Sequence, residues 1–259
     1  MKNILRRIVS AGLVLCMAGA LASCAKKKSM TVQKDKLIMA TNAYFPPYEY
    51  YDNSKIVGID AEIAEAIAKK LGLELEIQDV EFDSIIAGVQ SNKYDIGMAG
   101  MTVTDERKLA VNFSTTYATG IQAVIVPEGS EITDVDTLLG GDYKVGVQQG
   151  TTGDIYMSDV SGGVGEDRVV RFSKGNDAVL ALSTGKVDAV VIDNEPAKSF
   201  VASNEGLTIL ETAYVEEEYA MCINKSNTEL LEAINKALKE LTEDGTIPAI
   251  IEKYIPSKG

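Results

Sequence analysis

Four short segments carry side chains able to grip a small charged molecule. The first is Met98-Ala99-Gly100-Met101-Thr102-Val103-Thr104-Asp105-Glu106-Arg107. Its small residues leave the backbone N–H groups of Gly100 and Thr102 open to close approach. Thr104 is a good helix N-cap, which places Arg107 at the third helical position. A helix start, a hydroxyl and a guanidinium converging on one point form a carboxylate site; a capped surface helix with a solvated arginine is the plainer alternative. The second segment is Val145-Gly146-Val147-Gln148-Gln149-Gly150-Thr151-Thr152-Gly153. It runs from a strand into a turn rich in glycine and threonine, and no Gly-Lys-Ser/Thr follows to make it a phosphate loop. The third is Val190-Val191-Ile192-Asp193-Asn194-Glu195-Pro196. Asp193 ends an apolar strand there, where it could cap the next helix or pair with a ligand ammonium. The fourth is Asn42-Ala43-Tyr44-Phe45-Pro46-Pro47-Tyr48-Glu49-Tyr50-Tyr51. Two prolines stiffen this aromatic loop, and Phe45 is its best ligand wall. Donors for a carboxylate, an anion for an ammonium and aromatic walls together complement a free α-amino acid.

The elements that must hold these segments alternate between short apolar strands and helices. Leu37 to Ala40 reads as a buried strand. Ile63, Ile67 and Leu71 are spaced four apart, which predicts a helix over Asp60 to Leu71, stopped by Gly72. Leu73, Leu75 and Ile77 alternate as a strand, Ile85 to Val89 returns to helix, and Ile96 to Met98 is a strand again. Pro127-Glu128-Gly129-Ser130 interrupts the rhythm. A second series then runs through Lys144–Val147, Val169–Phe172, Ala178–Ser183 and Val187–Ile192. Leu230, Ile234, Leu238 and Leu241 share one face of a late helix, and a last helix runs to about Tyr254. The fold class expected is α/β, with mainly parallel sheets flanked by helices. Ser91-Asn92-Lys93-Tyr94-Asp95 in the first series is echoed by Ser183-Thr184-Gly185-Lys186-Val187-Asp188 in the second, which suggests two lobes of similar architecture. In such sheets ligands sit beyond the carboxyl ends of the strands.

Composition excludes several classes. The 259 residues include no histidine, which removes Ser-His and Cys-His catalysis and the usual zinc sites, so no metal and no cofactor are expected. A net charge of −13 argues against nucleic acid. Lys2, Arg6 and Arg7 precede an apolar run from Ile8 to Leu21 that is short for a membrane span, and Leu21-Ala22-Ser23-Cys24 closes it. Residues 1–23 are expected to be a signal peptide, Cys24 a lipidation site, and 24–35 a linker over the membrane surface. Cys222 reads as a core thiol.

Taken in order and spacing, Gly58-Ile59-Asp60-Ala61-Glu62-Ile63, Ala99-Gly100-Met101-Thr102 with Thr104 and Arg107, Gly150-Thr151-Thr152, Asp193 and Glu243-Asp244-Gly245-Thr246 resemble the solute-binding proteins of polar amino-acid ABC importers. The resemblance runs from about Leu37 to Tyr254. It implies a two-lobed periplasmic-binding-protein-like fold with two hinge strands, near Tyr117–Ile121 and Val215–Tyr219. Residues 36–120 and 220–259 would form a discontinuous first lobe, and 121–219 the second. It further implies that Arg107, Thr102 and the Gly100 backbone hold the ligand carboxylate, with Thr151 and Thr152 helping from the other lobe. Asp193 would take the ammonium, Phe45 and Phe82 would sandwich the side chain, and Asn42 and Gln148 would read it. Asn42 departs from the aspartate of several family members, which leaves a polar side chain, uncharged or cationic, as the expectation. The resemblance implies no enzyme, a monomer on the outer face of the cell membrane, a free amino acid as ligand and an ABC permease as partner. An amino-acid sensor, or a dehydratase using Glu195 or Glu49, are the alternatives.

Overall fold

The helix predicted over Asp60 to Leu71 runs from Ile59 to Leu71, with Ile59, Ile63 and Ile67 fully buried. Each such isoleucine contributes about 1.5–3 kcal/mol of burial. Gly72 stops it in the left-handed conformation, at φ 69°, with its N–H turned back to Lys69 and Ala68. The structure is a computed structural model that describes residues 29–211 and 215–256. The predicted leader and Cys24 lie outside those residues. Of the linker, Thr31 is buried, the Val32 N–H donates to Asp95 at 2.6 Å and the Met30 carbonyl accepts from Asn227 at 2.9 Å.

Two sheets carry the fold. In the first, the order is Glu74–Asp79, Lys36–Thr41, Ile96–Gly97, Cys222–Asn224, Val111–Phe113. The leading three strands are parallel, and Cys222–Asn224 lies antiparallel between Ile96–Gly97 and Val111–Phe113. In the second, the order is Val169–Phe172, Val145–Gln148, Ala189–Asp193, Ala118–Pro127, Leu207–Ile209. Again three parallel strands lead, and Ala118–Pro127 lies antiparallel between its two neighbours. Each sheet thus has the expected parallel core, extended by antiparallel strands that the alternating pattern does not announce. The chain crosses from the first sheet to the second through Ala118–Pro127 and returns through Val215–Tyr219. These two strands pair antiparallel, with Glu217 opposite Gly120.

The internal echo is structural. Asp95 immediately precedes one parallel strand and accepts the N–H of Ile38 on its neighbour at 2.8 Å; Asp188 immediately precedes another and accepts the N–H of Lys144, which leads into the neighbouring strand, at 2.7 Å. Three residues before each aspartate the chain turns through positive φ, at Asn92 (56°) and Gly185 (69°).

Gly58 ties the aromatic loop to the first helix. Its φ of 122° suits glycine alone, and a Cβ there would lie 2.3 Å from the Tyr48 carbonyl oxygen. That closeness lets the Ile59 and Asp60 N–H groups donate to the Pro47 and Tyr48 carbonyls at 3.1 and 2.9 Å. Gly58→Ala is expected to cost about 2 kcal/mol or more. Urea unfolding measures it, and a midpoint equal to that of the parent would refute this docking role.

Candidate functional site

Phe45 and Glu49 face each other in a tight antiparallel pair, closed by the Tyr48 N–H on the Phe45 carbonyl at 2.9 Å. Opposed residues share a face, so the wall formed by Phe45 brings the Glu49 carboxyl with it. Glu49 is only 1% exposed. Phe45 rests on Gly100, whose φ is 52°; a Cβ there would meet the ring at 2.6 Å. Gly100 in turn donates its N–H to Asp60 Oδ2 at 2.9 Å, and Tyr117 OH donates to the same oxygen at 2.8 Å. Burial pushes the Asp60 carboxyl up to about 6 despite these donors.

Thr104 caps the helix Asp105–Ala110 by accepting the Arg107 N–H at 3.2 Å, as its spacing predicts. The guanidinium then points inward and is buried. It donates to the Thr102 carbonyl at 2.7 Å and to the Gly150 carbonyl, on the second sheet's side, at 3.0 Å. Its carbon lies 5.4 Å from the centre of the Phe82 ring. Burial lowers its pKa, and the carboxyls of Glu217 and Asp193 oppose that shift.

On the second sheet's side, Gln148 ends its strand and donates to Asn42 Oδ1 at 2.9 Å, so the two amides expected to read a side chain bridge the cleft. Thr151 lines the cavity, but its hydroxyl is occupied locally: it caps the helix Thr152–Ser158 and donates to the Gln148 carbonyl at 2.8 Å. The Gly150 N–H is held by Asp154 at 2.9 Å, and Arg171 Nε holds both oxygens of that carboxylate at 2.9 Å. Asp193 does not cap the helix that follows it. Its carboxyl accepts from Tyr219 OH instead, which leaves the capping alternative without support. Burial first, and Glu217 second, push Asp193 up to about 7.

The ten ligand-binding candidates meet at one place. Asn42, Phe45, Phe82, Gly100, Thr102, Arg107, Gln148, Thr151, Thr152 and Asp193 line a single cavity between the sheets, joined by Glu49, Ala99 and Ile192. The space left is about 20 Å³, room for one water. The cross-cleft contacts must therefore separate before a molecule the size of an amino acid can enter. A broader groove of about 530 Å³ opens on the other side of Tyr48 and Tyr219 and shares Asp193 as a wall.

Sequence reasoning could not place Glu49, and it missed Asp60, Gln122 and Glu217. The last two sit on the crossing strands. Glu217 accepts from Thr102 at 2.8 Å and from Gln122 at 3.1 Å. The Pro-Pro turn between Phe45 and Glu49 was the available signal for the hairpin that places Glu49. Nothing local marks Glu217, whose burial follows from strand pairing across the whole chain. One guanidinium thus stands among four buried carboxyls, those of Glu49, Asp60, Asp193 and Glu217. Among the described residues, no acidic or cysteine cluster could hold a metal ion, and no helix is long and apolar enough to cross a membrane.

Comparison with known proteins agrees with this geometry. The arginine-binding extracellular protein ArtP of Bacillus subtilis is 34% identical over 92% of this chain and 94% of its own length. Among solved structures, an ancestral arginine-binding protein bound to glutamine matches with a TM-score of 0.81 at 41% identity, covering 87% of this chain and all of that one. The arginine-, lysine-, histidine-binding protein ArtJ from Geobacillus stearothermophilus matches with a TM-score of 0.80 at 32% identity, over 86% and 96% of the two chains. The sequence profile of the bacterial extracellular solute-binding proteins, family 3, spans residues 37–257. With that match, and with two like-ordered sheets closing on one polar cavity, this chain belongs to the bacterial extracellular solute-binding proteins, family 3.

Proposed function

We propose that the cavity binds a free L-amino acid with a cationic side chain, for delivery to an ABC permease. The observation that carries this reading is the charge imbalance. Arg107 suits the α-carboxylate and Asp193 the α-ammonium, which leaves the Glu49 carboxyl beside Phe45 and Phe82 to meet a positive side chain. Buried carboxyls in excess of cations favour a ligand that brings positive charge with it. The similarity to the arginine-binding ArtP and to the arginine-, lysine-, histidine-binding ArtJ supports the same reading.

In this reading 36–120 with 220–259 forms one lobe and 121–219 the other, and the paired crossing strands are the hinge. Thr102 helps with the carboxylate, the Gly100 N–H expected there being held by Asp60 instead, Thr151 and Thr152 supply the second lobe's turn, and Asn42 and Gln148 exchange their mutual bond for the ligand. Cys24 carries a lipid that holds the protein at the outer face of the membrane.

A second reading, an amide side chain such as that of glutamine, is favoured by the Asn42–Gln148 pair and by the ancestral protein bound to glutamine. One screen separates the two. In thermal-shift measurements on the mature chain with each amino acid, arginine is expected to give the largest stabilisation, about 2.7 kcal/mol at 100 times its Kd. A larger shift with glutamine would overturn the cationic assignment. Silence with every amino acid would overturn the amino-acid reading itself.

A further inference from the structure

Glu49 and Asp60 meet where the hairpin packs on the start of the helix Ile59–Leu71, and both are sealed from solvent at 1% and 0% exposure. Their carboxyl groups lie close enough for each to act on the other's ionisation. Two carboxylates offer acceptors only, so one of the pair must carry a proton. Glu49 Oε2 and Asp60 Oδ1 are buried without a hydrogen-bond partner, and a proton on one of the carboxyls supplies a donor where none is present.

The surroundings decide which member holds it. Asp60 Oδ2 receives the Gly100 N–H and the Tyr117 hydroxyl, two donors that favour its ionised form. Glu49 receives no donor of that kind. It faces Asp60 from the helix and Asp193 from the end of the strand Ala189–Asp193. Tyr48 beside it has a pKa raised by burial and then by Asp60, Asp193 and Glu195; Tyr117 likewise stays neutral. The one cation lining the cavity, Arg107, directs its guanidinium to the Thr102 and Gly150 carbonyls. Burial, and then Asp60, hold Glu49 well above the ordinary carboxyl range.

We propose that Glu49 stores a proton that a cationic ligand expels, so that binding a positively charged side chain releases one proton and binding a neutral one does not. The step balances simply. The Glu49 O–H bond breaks, its proton passes to buffer, the contact that proton made toward Asp60 is given up, and the resulting carboxylate pairs with the ligand cation. This rests on the amino-acid reading of the site. It adds that selection among amino acids depends on pH: the preference for a cationic over a neutral side chain weakens as pH falls, because Glu49 becomes harder to ionise.

The test is calorimetry of the mature chain at pH 7 in buffers of different ionisation enthalpy, comparing arginine with citrulline, its uncharged near-isostere. Any proton displaced from Asp193 by the α-ammonium is common to both ligands. The expected result is about one more proton released by arginine than by citrulline, with Glu49→Gln abolishing the difference. Equal release by the two ligands overturns the proposal while leaving the amino-acid site intact. No heat with either ligand overturns both. Should Glu49→Gln fail to fold, the parent protein labelled at its glutamate carboxyl carbons serves instead. One carboxyl signal should remain protonated at pH 7 and ionise on addition of arginine; a spectrum with every glutamate already ionised overturns the proposal.

Discussion

Arg107→Ala should lower affinity for the amino acid by about 30-fold to several thousand-fold, because truncating one partner of a buried, hydrogen-bonded charge pair costs about 2–5 kcal/mol. The loss has two sources. The ligand carboxylate would enter a cavity whose remaining charged groups are carboxyls. The Thr102 and Gly150 carbonyls, which Arg107 now bridges, would also lose their shared donor across the cleft. The fold should persist, since alanine suits the helix Asp105–Ala110 and the Thr104 cap uses the backbone of residue 107 rather than its side chain. Calorimetry measures the affinity and circular dichroism the fold. An unchanged Kd would remove Arg107 from the site.

Asp193→Asn should weaken binding of free amino acids by about 2 kcal/mol, the loss of a charge-assisted hydrogen bond. Binding of a ligand lacking the α-ammonium should change little. Asparagine retains an oxygen to accept from Tyr219, so the test removes charge more than structure. An equal loss for both ligands would deny Asp193 its role. The same variant reads out pH dependence. Asp193 is raised to about 7 in the folded protein, against about 3.9 in an unfolded chain. Its contribution to stability is therefore fully present below the unfolded value, and is lost as pH rises from about 4 through 7. Without ligand, Asp193→Asn should gain stability relative to the parent as pH rises through that window, as thermal melts at pH 5 and pH 8 would show.

Local patterns in the sequence carried much of the fold. The helix Ile59–Leu71 needs only its isoleucine spacing and Gly72, and the Thr104–Arg107 cap needs only three residues of separation. The antiparallel strands were different. Ile96–Gly97 is two residues long, and its partner Cys222–Asn224 arrives from 125 positions later in the chain. No periodicity announces such a pairing. The site followed the same division. Residues at strand ends, such as Gln148 and Asp193, could be found from the end of an apolar run. Glu49 depends on a hairpin register, and Asp60 and Glu217 on which faces become buried. The ionisation of Glu49 and Asp60 is a property of the assembled cleft.

The like order of the two sheets has a consequence for how the proposed site would distinguish its ligand's ends. Each third parallel strand, Ile96–Gly97 in one lobe and Ala189–Asp193 in the other, leads into a charged residue of the cavity: Arg107 after the first, Asp193 at the end of the second. The molecule is in effect two copies of one topological unit, specialised to opposite polarity. A zwitterion is also two opposite charges on one small frame. On the proposed reading, a repeated unit suits it with one polarity contributed from each copy, and an inverted ligand would meet like charge at both ends.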